Sequence, residues 1–236
     1  GIYHRCWGAA RHDRATGVHK PIYADVMVFG PASDSAPAFL RLQLDLANLT
    51  VAQQAELERT LSEVSGLPVE RIIITFSHTH AAGWFAPDRM KLPGGELIPD
   101  YLKKLQAGAE AACKEALANM REVTITYAAG RCNMAGNRDL WDEEFKGYVC
   151  GFNPDAPADG TLLLARVTDA AGRLIAILVN YACHATTLAW ENTLISPDFV
   201  GALRETVEGA AGAPCIYLQG ACGDLGPRHG FVGDTA

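Results

Sequence analysis

Three short apolar runs constrain this chain more than any other feature. They are Arg71-Ile72-Ile73-Ile74-Thr75-Phe76-Ser77, the stretch from Leu174 to Ala182, and Cys215-Ile216-Tyr217-Leu218. Each is short, bounded by turn or polar residues, and rich in β-branched or aromatic side chains, the pattern of strands inside a covered sheet. The first is predicted to be buried on both faces. Polar residues follow each run: His78-Thr79-His80, then His184, then Gln219-Gly220-Ala221-Cys222-Gly223-Asp224. Open α/β sheets bind ligands outside the carboxyl ends of their strands. If the three strands are neighbours, three of the seven histidines and one aspartate converge there.

The rest of the chain mixes strands and helices. Residues 25–29, 39–46, 122–128 and 161–168 read as further strands, the first two joined as a hairpin through the Pro- and Ser-rich turn from Gly30 to Pro37. Thr50-Val51-Ala52-Gln53 has the form of a capping box. It opens a helix with Leu57, Leu61 and Val64 on one face, stopped by Gly66 and Pro68. Ile98, Leu102, Leu105, Ala109, Ala112 and Ala116 mark a second helix. Ser196 as N-cap and Pro197 in the first turn predict a third, with Val200, Leu203 and Val207 as its stripe. The segments 81–95, 131–160 and 183–196 read as loops, the latter two long enough to wall a site. The expected fold is α/β: a mixed, largely buried β-sheet flanked by helices, with the site at the carboxyl ends of the strands. One domain is expected over residues 1–236.

Composition excludes several classes. Half of the chain is hydrophobic (49%) and 20% is charged, enough apolar matter for a core. Lys and Arg number 20 against 27 Asp and Glu, net −7, and no basic run stands out, so a nucleic-acid partner is not expected. No apolar run approaches the roughly 18 residues of a membrane-spanning helix. Seven scattered cysteines without a C-x-x-C pair fit neither a disulfide scaffold nor a structural zinc finger. They favour a cytoplasmic over a secreted setting. The opening Gly1-Ile2-Tyr3-His4-Arg5 is neither a start methionine nor a signal peptide, and the chain stops at Asp234-Thr235-Ala236. A piece of a longer protein, incomplete at its C-terminus, is expected.

His-x-His on extended backbone puts both imidazoles on one side, because side chains alternate with period two. Neutral imidazoles suit Zn²⁺, and a carboxylate can complete or orient such a set. The competing reading is of histidines hydrogen-bonded within a core. Other residues carry similar pairs of readings. Cys222 is either a nucleophile or a small residue under a tight turn. Gly220 and Gly223 suit close backbone approach to a ligand. Trp84, Phe85 and Trp141 either line an apolar pocket or pack their loops. Asp142-Glu143-Glu144 reads as a solvated face, and the spacing of His4, His12, His19 and His229 demands no role.

The motifs taken in order resemble a known family. Ser77-His78-Thr79-His80 after an apolar strand is similar to the Thr-His-Thr-His motif of the neutral/alkaline (non-lysosomal) ceramidases. Asn180-Tyr181-Ala182-Cys183-His184-Ala185-Thr186 resembles their Val-His-Gly-Thr stretch. Asn137-Arg138 with Asn153-Pro154 resembles their Asn-Arg-Ser and Asn-Pro segment. Gly223-Asp224-Leu225-Gly226-Pro227-Arg228 resembles their Gly-Asp-Val-Ser-Pro hexapeptide, and Thr16-Gly17-Val18-His19 fits the start of that domain. These motifs span nearly the whole chain.

The resemblance implies a single zinc that activates water to cleave an N-acyl amide. It implies His78 and His184 as zinc ligands, His80 beside metal and substrate, and Arg138 on a polar group of the substrate. More loosely, it implies Asp13 as an acidic residue near the site; Asp224, from its place after the third strand, is a candidate supporting carboxylate, and Trp84, just after the His-x-His, a candidate substrate contact. The family's remaining ligands, a glutamate and a tyrosine, lie well beyond the hexapeptide, so the ligand set within residues 1–236 is incomplete. Gly226 stands where the hexapeptide has serine, which excludes a serine nucleophile at that position. Ala81-Ala82-Gly83 departs from the family's usual Ser-Gly-Pro-Gly. The substrate is expected to be a small-molecule amide or lipid-like compound, smaller or more polar than ceramide. Two alternatives stand beside this: a non-catalytic binding domain on the same fold, and an amidohydrolase-type metallohydrolase, which needs eight βα units.

Overall fold

A computed structural model describes residues 1–34 and 36–230. Ser35, within the predicted hairpin turn, and the terminal Asp234-Thr235-Ala236 lie outside the described residues. The strands in chain order are β1 (Gly17–Val18), β2 (Ala24–Phe29), β3 (Phe39–Leu44), β4 (Ile72–Phe76), β5 (Val123–Arg131), β6 (Ala135–Asn137), β7 (Asp139–Asp142), β8 (Gly147–Cys150), β9 (Thr161–Asp169), β10 (Leu174–Tyr181), β11 (Leu194–Ile195), β12 (Cys215–Gln219) and β13 (Leu225–Pro227). The helices are α1 (Val51–Ser65), α2 (Ile98–Ala118) and α3 (Phe199–Ala211). None is long and apolar enough to cross a membrane.

Two mixed sheets carry the architecture. In the first, β3 pairs antiparallel with β2 and parallel with β4. In the second, the order is β12-β10-β9-β5, with β10 parallel to β12 and the other pairs antiparallel. β12 also packs beside β4 and β3, so the ends of β4, β10 and β12 come together as the sequence predicts.

Alternation on β3 builds the main core. Leu40, Leu42 and Leu44 face one way, against Leu57 and Leu61 of α1 and Ile98, Ala109 and Cys113 of α2. The capping box of α1 is formed: Gln53 N donates to Thr50 Oγ1 (3.3 Å) and Thr50 N to Gln53 Oε1 (3.0 Å). Gly66 ends the helix with φ of 71°, a conformation glycine adopts without strain.

Three local expectations are corrected. β4 is not buried on both faces: Ile72 and Ile74 are buried on the face where α1 and α2 pack, whereas Ile73, which points the other way, is 45% exposed. Helix α3 starts after Asp198, not Ser196; Asp198 Oδ1 accepts from Phe199 N (2.7 Å), while Ser196 Oγ accepts from Asp198 N (3.0 Å) two residues earlier. The segment 131–160 is not plain loop: β6 pairs with β13, and β7 with β8.

A buried ion pair ties α3 to the first sheet. Arg204 donates through Nη1 and Nη2 to Asp45 (3.0 and 3.2 Å), and Asp25 lies 3.9 Å away. The short segment after β3 is therefore clamped, and this segment reaches the histidines. All seven cysteines are free thiols.

Candidate active site

His78, His80 and His184 converge. Their ring centroids are 5.1 Å (78–80), 4.7 Å (78–184) and 5.6 Å (80–184) apart, and one ring nitrogen from each lies within 4.8 Å of the others. The route to this convergence differs from the one expected. His78 is not on extended backbone; its φ is 61°, in the left-handed region where a β-branched or bulky residue is strained. The chain leaves β4 through Ser77 N bonded to Leu44 O (2.9 Å) and His78 N bonded to Leu46 O (3.0 Å). It then twists, and His80 N donates to Ala185 O (3.1 Å), stitching the end of β4 to the end of β10.

Backbone carbonyls orient two of the rings. His78 Nδ1 donates to Ala47 O (2.8 Å), and His184 Nδ1 donates to Cys222 O (2.7 Å) with Leu225 O at 3.2 Å. With Nδ1 holding the proton, the Nε2 lone pair of each is turned inward. His80 Nε2 lies 3.5 Å from His78 Nε2, and its buried Nδ1 has no hydrogen-bond partner.

The electrostatics favour the uncharged form of two of the three rings. Burial, then the neighbouring His78, His184 and Arg138, lowers His80 to about 3. Burial, then Arg138 and His78, lowers His184 to about 4, against the opposing bonds to Cys222 and Leu225. Uncharged imidazoles are the form that ligates a metal. The inward-facing Nε2 atoms of His78 and His184, with a ring nitrogen of His80 beside them in a half-buried cluster, fit a small divalent cation such as zinc.

Arg138 joins the cluster from the loop beside β6. Its Nε and Nη2 donate to Gly223 O (3.0 and 2.9 Å), and Nη2 lies 3.2 Å from His184 Nε2. Gly223 thus serves through its carbonyl, while Gly220 has a packing role, since a Cβ there would stand 3.0 Å from the Ala182 side chain. Asp224 does not touch the histidines. It accepts from Asn137 Nδ2 (3.3 Å), and its backbone carbonyl accepts from Arg138 N (2.8 Å), so it holds the Arg138 segment. Asp13 lies in the N-terminal arm, 3.3 Å from Arg5. Trp84 packs on the main core and lines a neighbouring cavity.

Sequence reasoning missed Trp7. Its ring lies 5.1 Å from that of His80, and Trp190 stands 6.2 Å beyond. The N-terminal arm brings it there through His4 Nε2, 3.0 Å from Ala81 O, and Tyr3 N on Gly94 O (3.0 Å). The backbone acceptors Ala47 and Cys222 were equally invisible, since a carbonyl leaves no mark in a sequence. Cys222 is buried, and burial raises its thiol, opposite to the shift a nucleophile needs.

No protein-family model matches the chain, and no curated protein matches it. Solved structures do. A neutral ceramidase from Pseudomonas aeruginosa superposes with a TM-score of 0.74 at 21% identity, over 92% of this chain and 35% of that one. A ceramidase complexed with C2 superposes with a TM-score of 0.76 at 20% identity, over 96% of this chain and 36% of that one. The chain therefore shares the ceramidase fold along nearly its whole length and spans about a third of those structures.

Proposed function

We propose that this chain is the histidine-bearing part of a zinc-dependent hydrolase that cleaves the C–N bond of an N-acyl amide. The observation that carries the reading is the meeting of His78, His80 and His184 on a ceramidase fold, with His80 and His184 held uncharged chiefly by burial. His78 and His184 would hold the ion through Nε2, each ring fixed by a carbonyl on Nδ1. Such an ion, when bound, supplies Lewis-acid polarisation and a coordinated water whose pKa falls to about 7.

The chain's own residues divide the remaining work. His80 lies against both proposed ligands, and burial with the neighbouring His78, His184 and Arg138 holds it below the usual imidazole range, so it serves as a neutral N–H donor to the oxygen on which charge develops. Arg138 is anchored by Nε and Nη2 to Gly223 O, which leaves Nη1 to bind a polar group of the substrate. Asn137 and Asp224 hold that arginine's backbone in place. Trp7 covers His80 and limits water there. At Gly226 a Cβ would make only an ordinary contact, 3.5 Å from Arg138 Cδ, so the position is not closed to other residues, and glycine supplies no nucleophile there.

The test is hydrolysis of a short N-acyl amino compound and of a long-chain ceramide by the full-length protein. The reading predicts turnover that is lost on chelation, restored by zinc, and abolished by His78→Ala. Turnover indifferent to chelation and to that substitution would reject the metal. A protein that binds zinc but turns over neither substrate would favour the binding-domain alternative.

A further inference from the structure

The N-terminal arm does more than cover His80. Ala15 N bonds Ile2 O (2.9 Å) and His4 N bonds Asp13 O (2.7 Å), so residues 2–15 fold back on themselves with Trp7 in the bend. One face of Trp7 belongs to the histidine cluster. The residue also lines a cavity of about 430 Å³ together with Tyr3, Arg5, Cys6, Trp84 and Arg89.

The charged side chains that line this cavity are both positive. Two guanidiniums line it and no carboxylate does. Arg5 is partly offset by Asp13 at 3.3 Å and donates to Tyr3 Oη at 3.4 Å. Arg89 likewise has a carboxylate beside it. Its Nε is buried without a hydrogen-bond acceptor, with Asp88 3.4 Å away but not aligned, and its guanidinium stands 5.9 Å over the Tyr3 ring. Cys6 adds no negative charge, because burial pushes its thiol up to about 11 against the pull of Arg89. A planar guanidinium in a half-enclosed space matches a carboxylate, and two indoles beside it match the apolar part of the same molecule.

We infer that this cavity binds the carboxylate of an N-acyl amino acid, whose amide then lies across Trp7 at the histidine cluster. The inference rests on the amide-hydrolase reading and names its substrate class. It also separates this protein from an enzyme of uncharged ceramide.

The test is a tryptophan-fluorescence titration of the full-length protein, with the binding confirmed by calorimetry. N-acetyl-L-leucine is compared with N-acetyl-L-leucinamide, which differs only in charge, and sodium sulfate is a third probe. The acid should bind at least about tenfold more tightly than the amide, as a charge-assisted bond allows. Arg89→Gln should erase that preference, and Arg89→Lys should restore part of it, in variants whose melting temperature matches the parent's. Equal binding of acid and amide, no binding of either, or a preference that survives Arg89→Gln combined with Arg5→Gln would overturn the inference. So would sulfate binding as tightly as the acid, which would mark a free-anion site. Hydrolysis of the same pair separates the two claims. Selective binding without turnover removes the hydrolase reading and leaves the subsite; turnover without selectivity does the reverse.

Discussion

Replacing Asp45 with alanine tests how the histidine cluster is braced. Asp45 is 1% exposed and Arg204 is 4% exposed, so the pair is out of water. Asp45 accepts from Arg204 Nη1 at 3.0 Å, Arg204 Nη2 at 3.2 Å and Tyr23 N at 2.9 Å. Removing one partner of a buried ion pair costs about 3–5 kcal/mol, because the other charge is left uncompensated. Asp25 lies 3.9 Å from Arg204 and the Tyr23 ring 4.7 Å from its guanidinium, and both partly take over. The loss should therefore fall near ~3 kcal/mol. With a urea m-value of about 3 kcal/mol/M, that lowers the midpoint by about 1 M at unchanged m. Asp45→Ala combined with Arg204→Met should be more stable than Asp45→Ala alone, since the stranded charge is gone. A loss below about 1 kcal/mol for Asp45→Ala, or strict additivity of the two substitutions, would refute the reasoning.

Tyr181→Phe should cost about 1–3 kcal/mol by urea denaturation, because Tyr181 Oη accepts from the buried Ala135 N (2.9 Å) and donates to Cys132 O (3.2 Å). Since Ala135 opens the strand that leads to Arg138, kcat should fall in the same variant. Cys222→Ala should leave hydrolysis within about twofold of the parent, while a large loss in a folded protein would favour a thiol mechanism. Burial raises the Asp25 carboxyl from 3.8 to about 6. The folded state therefore holds the extra proton between these values, and stability contributed by this group falls as pH rises through that window. Asp25→Asn should gain stability relative to the parent from pH 4 to pH 7, and a flat difference across that range would contradict the assignment.

Much of the fold was legible because it rests on local pattern. The leucines of β3 and the α2 stripe from Ile98 to Ala109 are read from spacing alone, although beyond it Cys113 and Leu117 rather than Ala112 and Ala116 meet the core, and Thr50 with Gln53 announces α1. The three histidines were legible because each follows an apolar strand. Their convergence, however, depends on a left-handed turn at His78 and on Ala185 and Leu225 carbonyls far along the chain. No periodicity encodes those. Arg138 was reached only through the family resemblance, since its partners Gly223 and His184 lie tens of residues away. Trp7 was missed for the same reason. The cap of α3 was misplaced because Ser196 and Asp198 are both good capping residues, and the tertiary demands of Thr187 and Leu188 on Asp198 decided between them.

The most direct test of the account is the zinc content of the purified, zinc-equilibrated protein, measured by mass spectrometry of the metal for the parent and for His78→Ala, His184→Ala and the double variant. The account predicts a single zinc per chain in the parent, a sharp loss in each single variant, and none in the double variant. A parent without zinc, or a double variant that keeps it, would contradict the claim that these histidines form a metal site.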